Sequence, residues 1–208
     1  MVDLKPLKIT CTSTDCTNNL HCFRSKSNLN SESLGGRCRD CGADLVDWSR
    51  VHSQSLDDSK HTIASLKLEL IRYHFWHIPI SEKAIAYARR KGRLELRHAA
   101  RRQIGRAVGP ANPFRDGFQT PRETSPRANA IHYAQHATGS CCRKCVEEWH
   151  GVSQGKNLSE VELAYLTDLA MLYLDDRLPQ LTDQPQKVKK VGPGSVRATQ
   201  EAQPHHAA

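Results

Sequence analysis

The chain has 208 residues, a formal charge of +8 and few aromatic residues, 6% of the total. This length suits one domain of ordinary size with a smaller appended module, and the low aromatic content predicts a modest core. No run of about 18 apolar residues occurs, and the first thirty residues lack the basic and then apolar layout of a signal peptide. We therefore expect a soluble, cytoplasmic protein without a membrane partner.

The first fifty residues are rich in Ser, Thr, Asn, Gly and Cys and show little apolar periodicity. In a reducing compartment, closely spaced cysteines bind metal more often than they form disulfides. Two pairs with short spacing, one of them in the string "CRDCG", are typical of a closed structural zinc site. The predicted ligands are Cys11, Cys16, Cys38 and Cys41. Cys22, which follows His21, is a possible substitute for one of them.

Two helices are predicted next along the chain. Residues 59–76 show apolar side chains at helical spacing after the candidate caps Asp57 and Asp58, and Pro79 ends this helix. A second helix runs from Glu82 toward residue 108, where "GPANP" breaks it. Gly92 is expected to kink or split it, because glycine costs up to about 1 kcal/mol relative to alanine in a helix interior.

Positive charge is concentrated in that second helix. Residues 82–106 carry nine Lys or Arg and two Glu, a net charge of +7. A helical projection places most of the arginines in one sector beside an apolar stripe, although Leu94 falls inside the basic sector. We call the predicted nucleic-acid-binding residues the arginine row: Arg89, Arg90, Arg93, Arg97 and Arg101. Concentrated charge favours a polyanionic partner, DNA or RNA; the alternatives are a solvated face or ion pairs with a partner protein.

Residues 109–130 hold four prolines and two glycines and predict a long loop. The string "AQHATGSCCRKCVEEWHG", residues 134–151, then brings two histidines and three cysteines together. The predicted ligands of a second, structural zinc ion are His136, Cys142, Cys145 and His150, with Cys141 and His132 as substitutes. An iron-sulfur centre would need a further thiolate or a histidine replacement.

After the second cluster, Ser159 and Glu162 form a capping-box pattern before an apolar stretch, which predicts a core helix. From Pro179 the composition is typical of a disordered tail. The predicted organisation is therefore a zinc-ribbon-like module at 1–50, a helical domain with the second cluster at 51–179, and a disordered basic tail at 180–208. The predicted fold class is mainly α with a small N-terminal zinc-ribbon (β) module and a zinc-stabilised helical domain.

Residues of about 70–175 resemble an uncharacterised bacterial domain family, a domain of unknown function. The resemblance is carried by "FWHIPI", "AYARRKGRLELRHAARRQI", "GPANPFRDGFQTP", "AQHATGSCCRKCVEEWHGV" and "GKNLSEVELAYLTDLAMLYL". It implies a domain boundary but no activity, and the N-terminal cysteine module is an addition to it. It also suggests that loop residues Asp116, Gln119 and Thr120 approach the second cluster together with His74 or His77. The alternative is a plain turn.

Two functions from different classes follow from these patterns. The first is a binding protein with two zinc ions that presents the arginine row to nucleic acid. The second is a zinc-dependent hydrolase or nuclease, in which three ligands of the second cluster leave a position for water and Asp116, Glu147, Glu148 or His77 assists. The binding protein is preferred because both clusters can be closed sites and no activated nucleophile stands out. Whether the protein is an enzyme, and its oligomeric state, stay open.

Overall fold

The computed structural model describes residues 9–24 and 36–188, and these ranges form seven α-helices and one short 3-10 helix, Cys16–Asn18. The α-helices are α1 (Trp48–His52), α2 (Ser59–Leu66), α3 (Leu70–His77), α4 (Glu82–Val108), α5 (Ala130–Ala137), α6 (Arg143–His150) and α7 (Glu160–Arg177). The prediction of a mainly helical protein is confirmed. No helix within the described ranges is both long and apolar enough to cross a bilayer.

The N-terminal segment has almost no β structure where it is described. Its β pairing consists of two isolated bridges, one between Asp15 and Leu20 and one between His21 and Glu69. A β zinc ribbon is therefore not formed by residues 9–24 and 36–47. The second bridge joins this segment to the helical domain, so the module is attached to the domain by backbone hydrogen bonds.

That same bridge explains why the predicted helix over 59–76 is two helices. Glu69 has an extended backbone between α2 and α3, with φ −88° and ψ 124°. The carbonyl of Leu68 accepts from the His21 N–H at 2.7 Å, and the Leu70 N–H donates to the His21 carbonyl at 2.9 Å. Pairing with a distant segment thus interrupts a helix that local periodicity alone would continue.

The predicted break at Gly92 is confirmed as a kink within α4. Gly92 has φ 70° and ψ 163°, a conformation that side chains with a Cβ rarely adopt. The kink frees backbone groups for the chain after α7: Arg93 N–H donates to the Thr182 carbonyl, and Gln186 N–H donates to the Arg89 carbonyl, both at 2.8 Å. The first residues of the predicted tail, 180–188, therefore contact α4, while 189–208 lie outside the described residues.

Substituting Gly92→Ala tests this contact. A Cβ at residue 92 would lie 2.5 Å from the Asp183 carbonyl oxygen, and the positive φ would be strained. We expect the free energy of unfolding to fall by about 1–3 kcal/mol, measured by urea denaturation. Gly155→Ala is the matched control, because it also has a positive φ, 82°, but nothing lies within 4 Å of its Cβ position. Equal effects of the two substitutions would show that the close approach of the 182–186 segment contributes nothing.

Helix α7 lies at the centre of the core, as its apolar composition predicts. The Ser159 and Glu162 capping box starts it, which confirms that prediction, and α7 packs against α4 and α5. The core also extends into the N-terminal segment. Phe23, Trp48 and Trp149 form one aromatic cluster with ring centroids 5.2–5.8 Å apart. The predicted boundary at residue 50 consequently falls within α1, among residues that share this core.

Candidate metal centres

Four metal-ligating side chains meet in the N-terminal segment. The ligand atoms of Cys16, His21, Cys38 and Cys41 all lie within 4.8 Å of one another, and we call this group the first centre. Three of the four cysteines predicted from the sequence are in it. The fourth predicted ligand, Cys11, is outside the group, and His21 stands with the three cysteines.

The spacing within the first centre suits one tetrahedral zinc ion. Cys16 Sγ and Cys38 Sγ are 3.8 Å apart, and Cys41 Sγ is 3.5 Å from His21 Nδ1. Zinc binds sulfur at about 2.3 Å and nitrogen at about 2.0–2.1 Å, so tetrahedral angles separate two sulfurs by about 3.8 Å and a sulfur and a nitrogen by about 3.5–3.6 Å. Both distances match, which makes Cys₃His coordination through Nδ1 the chemistry that these residues fit.

Local turns place these ligands. Asp15 and Leu20 exchange two backbone hydrogen bonds, and Asn19 between them has φ 57°, so the chain reverses between Cys16 and His21. The Asn19 Oδ1 atom lies 3.0 Å from His21 Nε2. An amide oxygen only accepts, so Nε2 carries the proton and Nδ1 is left with its lone pair. An outer partner that fixes the tautomer in this way is typical of metal-binding histidines.

The thiol of Cys38 is prepared for ionisation. Burial raises its pKa, but backbone hydrogen bonds from Cys22, Cys41 and Asp40 and a contact with His21 outweigh burial and lower the pKa to about 6. The Gly42 N–H donates to the Cys38 carbonyl at 2.9 Å, which closes the turn predicted from "CRDCG". Since the thiolate is the form that binds metal, this turn favours a metal ligand at residue 38.

Three thiols form a second group, which we call the second centre. The Sγ atoms of Cys141, Cys142 and Cys145 lie within 4.8 Å of one another, and Cys141 and Cys145 are buried. Cys142 is the N-cap of α6, and its sulfur accepts from the Cys145 N–H at 3.4 Å. Hydrogen bonds from the other two thiols lower the pKa of Cys145 well below its usual value. The pKa of Cys141 is raised well above its usual value by its hydrogen bonds to the other two thiols, and that of Cys142 is raised to about 12, so Cys145 is the thiol that ionises first. Soft sulfur ligands suit zinc and other thiophilic metals.

A buried arginine faces the second centre. Arg72 Nη2 donates to Cys145 Sγ at 3.0 Å, and Nη1 lies 3.7 Å from Cys141 Sγ. Its Nε is 2.9 Å from Glu69 Oε2, an ion pair whose N–H is not aligned for a hydrogen bond. Glu69 Oε2 also accepts from Trp149 Nε1 at 2.9 Å. A fully buried cation therefore offsets negative charge on both the sulfurs and the carboxylate.

The two histidines predicted as ligands lie near this centre but outside the group of three sulfurs. His136 Nε2 is 3.1 Å from the Thr120 carbonyl, and His150 Nε2 is 2.8 Å from the Thr138 carbonyl. Each carbonyl requires a proton on Nε2, which leaves both Nδ1 atoms buried without a partner. Burial lowers the pKa of His136 to about 3 and that of His150 to about 4, so both rings are neutral at pH 7.

The second centre, Arg72 and all but the last two residues of α7 lie in one segment, residues 60–175, which matches the family model described as domain of unknown function DUF4186. The chain belongs to this family. The resemblance to an uncharacterised domain family is thereby confirmed, although its individual motifs remain a prediction. No solved structure matches the chain. All four residues of the first centre lie before the DUF4186 segment, and His21 pairs with Glu69 inside it.

Of the residues expected to approach the second centre together, Asp116 lies beside it, whereas Gln119 and His77 make other contacts. Both carboxylate oxygens of Asp116 accept from the Arg143 N–H, at 3.0 and 3.1 Å, next to Cys142 at the start of α6. Gln119 donates within its own loop to the Phe114 carbonyl at 2.7 Å. His77 is exposed and bound to the Tyr73 carbonyl, so it does not join Asp116.

The arginine row is largely paired within the DUF4186 domain. Arg93 makes a bidentate contact with Asp175 at 2.7 and 2.8 Å. Arg97 binds Asp168 and Arg101 binds Glu160 along α7, each through a single nitrogen–oxygen contact. Arg90 is exposed, and Arg89 lines a separate cavity beside residues 177–181. Three members of the row therefore join α4 to α7.

Two contributors to these centres were not predicted as members. His21 had a detectable signal, because it follows Cys16 at ligand spacing and precedes a cysteine. Arg72 had none, since a lone arginine in "LIRYHFWH" suggests an exposed side chain. Its burial follows only when α3 packs against α5 and α6 brings its thiols to the same place.

Proposed function

We propose that this is a zinc-binding protein in which two metal centres stabilise a helical domain that binds nucleic acid. The first centre holds zinc through Cys16, His21, Cys38 and Cys41, and the second through Cys141, Cys142 and Cys145. The single observation that carries the proposal is the agreement of the 3.8 Å and 3.5 Å separations in the first centre with tetrahedral zinc. Metal analysis of the purified full chain tests it, and two zinc ions per chain are expected.

In the second centre, zinc would bind three thiolates and one further ligand. The unpartnered Nδ1 atoms of His136 and His150 are the protein candidates, and either would require a movement of its ring toward the sulfurs. Bound zinc would neutralise thiolate charge and link the chain before α6 to its first turn. These residues thus favour a structural role for the metal.

The nucleic-acid part of the proposal is supported by the charge distribution. Helix α4 holds most of the net positive charge, and its paired arginines remain partly exposed: the side chain of Arg93 is 44% and that of Arg97 45% accessible. Exposed ion pairs are worth about 0–1 kcal/mol, so phosphate groups can compete with the carboxylates of α7 for these guanidinium groups.

Charge reversal on α4 tests the interface. We expect Arg93→Glu with Arg97→Glu to weaken nucleic-acid binding by about tenfold or more without releasing zinc, because phosphate contacts are lost. Fluorescence anisotropy over a range of salt concentrations measures this effect. The double variant also breaks contacts with Asp175 and Asp168, so it needs a control that keeps them.

The control exchanges charges across the ion pair: Arg97→Asp with Asp168→Arg. This exchange preserves the net charge and an ion pair while moving the cation to α7. An affinity of the exchanged protein between those of the wild type and the charge-reversed variant, with unchanged thermal stability, would support recognition by α4 itself. Binding by the charge-reversed protein within about twofold of the wild type would contradict a role for the arginine row.

The alternative function is a zinc-dependent hydrolase at the second centre. It is favoured by the count of three sulfurs, because catalytic zinc keeps a position open for water. Burial and the nearby Glu69 raise the pKa of Glu148 to about 8. However, Asp116 accepts from the first N–H of α6 and His77 lies elsewhere, so two of the four assisting groups expected from the sequence are engaged in other contacts. Metal-dependent cleavage of labelled DNA or RNA would favour this alternative.

A further inference from the structure

A cationic cavity with aromatic walls lies between the end of α4, the loop over residues 109–129 and the start of α5. Its volume is about 380 Å³, within the range of small-molecule sites. The side chains that give it its character are Arg106, Phe114, Arg115, Phe118, Arg127 and His132. None of its lining residues is acidic, and none of its three arginines forms an ion pair with a described residue.

The three cavity arginines differ from the paired members of the arginine row. Arg93, Arg97 and Arg101 each have a carboxylate on α7, so part of their charge is already neutralised. Arg106 and Arg127 are exposed. Burial, and to a smaller extent the charges of these two arginines, lower the pKa of His132 to about 4. Unpaired guanidinium groups around one cavity attract an anion, and their planar forks suit phosphate.

The aromatic side chains of the cavity are unusually exposed. Phe114 is 80% and Phe118 72% accessible, more than any other Phe, Tyr or Trp in the described ranges. Their loop is nevertheless anchored at two points: Asp116, between the two phenylalanines, accepts from the Arg143 N–H, and the Thr120 carbonyl, after Phe118, accepts from His136. Large apolar groups presented by an anchored loop are typical of binding surfaces.

His132 adds a fixed donor to this cavity. Its Nδ1 accepts from the Asn129 N–H at 3.0 Å, as part of the capping box that starts α5. The neutral ring therefore carries its proton on Nε2. The cavity thus combines phosphate-binding cations, two aromatic faces and a ring donor.

We propose that this cavity binds one nucleotide, with its phosphate on Arg106 and Arg127 and its base stacked on Phe114 or Phe118. The nucleotide can belong to a single strand or be free in solution, since both offer a phosphate and an open base face. In duplex DNA the base faces are covered by stacking, so single strands are preferred. In its single-strand form the inference rests on the proposed nucleic-acid function and places recognition at this cavity.

The test measures binding of the zinc-loaded full chain to three probes. These are a single-stranded oligonucleotide of about ten nucleotides, its duplex and a mononucleotide, each with inorganic phosphate as competitor. We expect the single strand to bind more tightly than the duplex. Phe118→Ala should weaken single-strand binding about tenfold, because one stacked base is lost. Arg106→Glu with Arg127→Glu should weaken single-strand binding further. It should also reduce the slope of log affinity against log salt concentration by about one to two.

Matched controls change the same properties elsewhere. Lys60→Glu reverses an exposed cation on α2, and Val161→Ala removes an exposed apolar side chain on α7; both residues lie outside the cavity. Neither substitution should change binding by more than about twofold. Zinc content and circular dichroism establish that each cavity variant remains folded.

The outcomes separate this inference from the proposed function. Single-strand binding that the cavity variants leave unchanged would overturn the cavity and preserve nucleic-acid binding through α4. Mononucleotide binding that depends on Phe118, without oligonucleotide binding, would support the cavity and overturn the polymer function. Equal binding of duplex and single strand with no effect of either Phe114→Ala or Phe118→Ala would overturn base stacking, and the absence of binding to every probe would overturn both proposals.

Discussion

Replacing Arg72 with methionine is expected to lower the free energy of unfolding by about 3–5 kcal/mol. The substitution removes the ion pair of the buried Glu69, which keeps its hydrogen bond from Trp149, and it removes the donor that faces the sulfurs of Cys141 and Cys145. Burial already raises the pKa of Glu69 despite the opposing effects of Arg72, Trp149 and Arg24, and Arg72 is the largest of these opposing effects. Urea denaturation of the zinc-loaded protein measures the loss.

The double variant Arg72→Met with Glu69→Gln separates charge from packing. It removes the unpaired carboxylate while keeping a side chain of similar shape near Trp149, so we expect it to recover part of the lost stability. Arg72→Met should also weaken metal binding at the second centre by about 10–100-fold, the usual effect of losing an outer partner. If the free energy of unfolding of Arg72→Met were within about 1 kcal/mol of the wild-type value, this buried ion pair would contribute little.

Replacing His21 with alanine is expected to remove one of two zinc ions and open the N-terminal segment. The loss of a direct ligand should weaken zinc binding by more than the roughly 10–100-fold caused by the loss of an outer partner. Because folding of such a small segment depends on the metal, we expect Trp48 fluorescence to change when that zinc ion is lost. Zinc content by mass spectrometry and competition with a chelator give the affinity.

Cys11→Ser is the matched control, and it decides between two ligand sets. The spacing of cysteines predicted Cys11 as a ligand, whereas the first centre contains His21 in that place. We expect Cys11→Ser to retain both zinc ions with an affinity close to that of the wild type. Asn19→Ala, which removes the acceptor of His21 Nε2, should have an intermediate effect. Loss of zinc from Cys11→Ser together with retention by His21→Ala would reverse the assignment.

Local patterns in the sequence predicted most of the helical elements. The Ser159 capping box, the break at Gly92 and the proline-rich loop over 109–129 depend on a few neighbouring residues, and the structure has each of them. The single helix expected over 59–76 was wrong, because Glu69 pairs with His21 some 48 positions earlier. A contact between distant segments leaves no trace in local periodicity.

In the candidate metal centres, too, neighbouring residues predicted some members and contacts between distant segments decided the others. The sequence identified Cys16, Cys38 and Cys41 because closely spaced cysteines form recognisable pairs. It predicted Cys11 and not His21, since the place of His21 depends on a reversal at Asn19 that brings His21 back toward Cys16. It likewise predicted a cationic helix without indicating that Asp175, Asp168 and Glu160 would face its arginines.

By itself, the sequence determined the residue types available for metal binding, the positive charge and the order of most helices. All of these follow from composition and from interactions within a few residues. Only the tertiary structure decided which side chains meet: His21 with three thiols, Arg72 with Glu69 and the second centre, and Phe118 with the cavity arginines. Such groups form when packing of the core brings distant segments together, so their members have no fixed spacing along the chain.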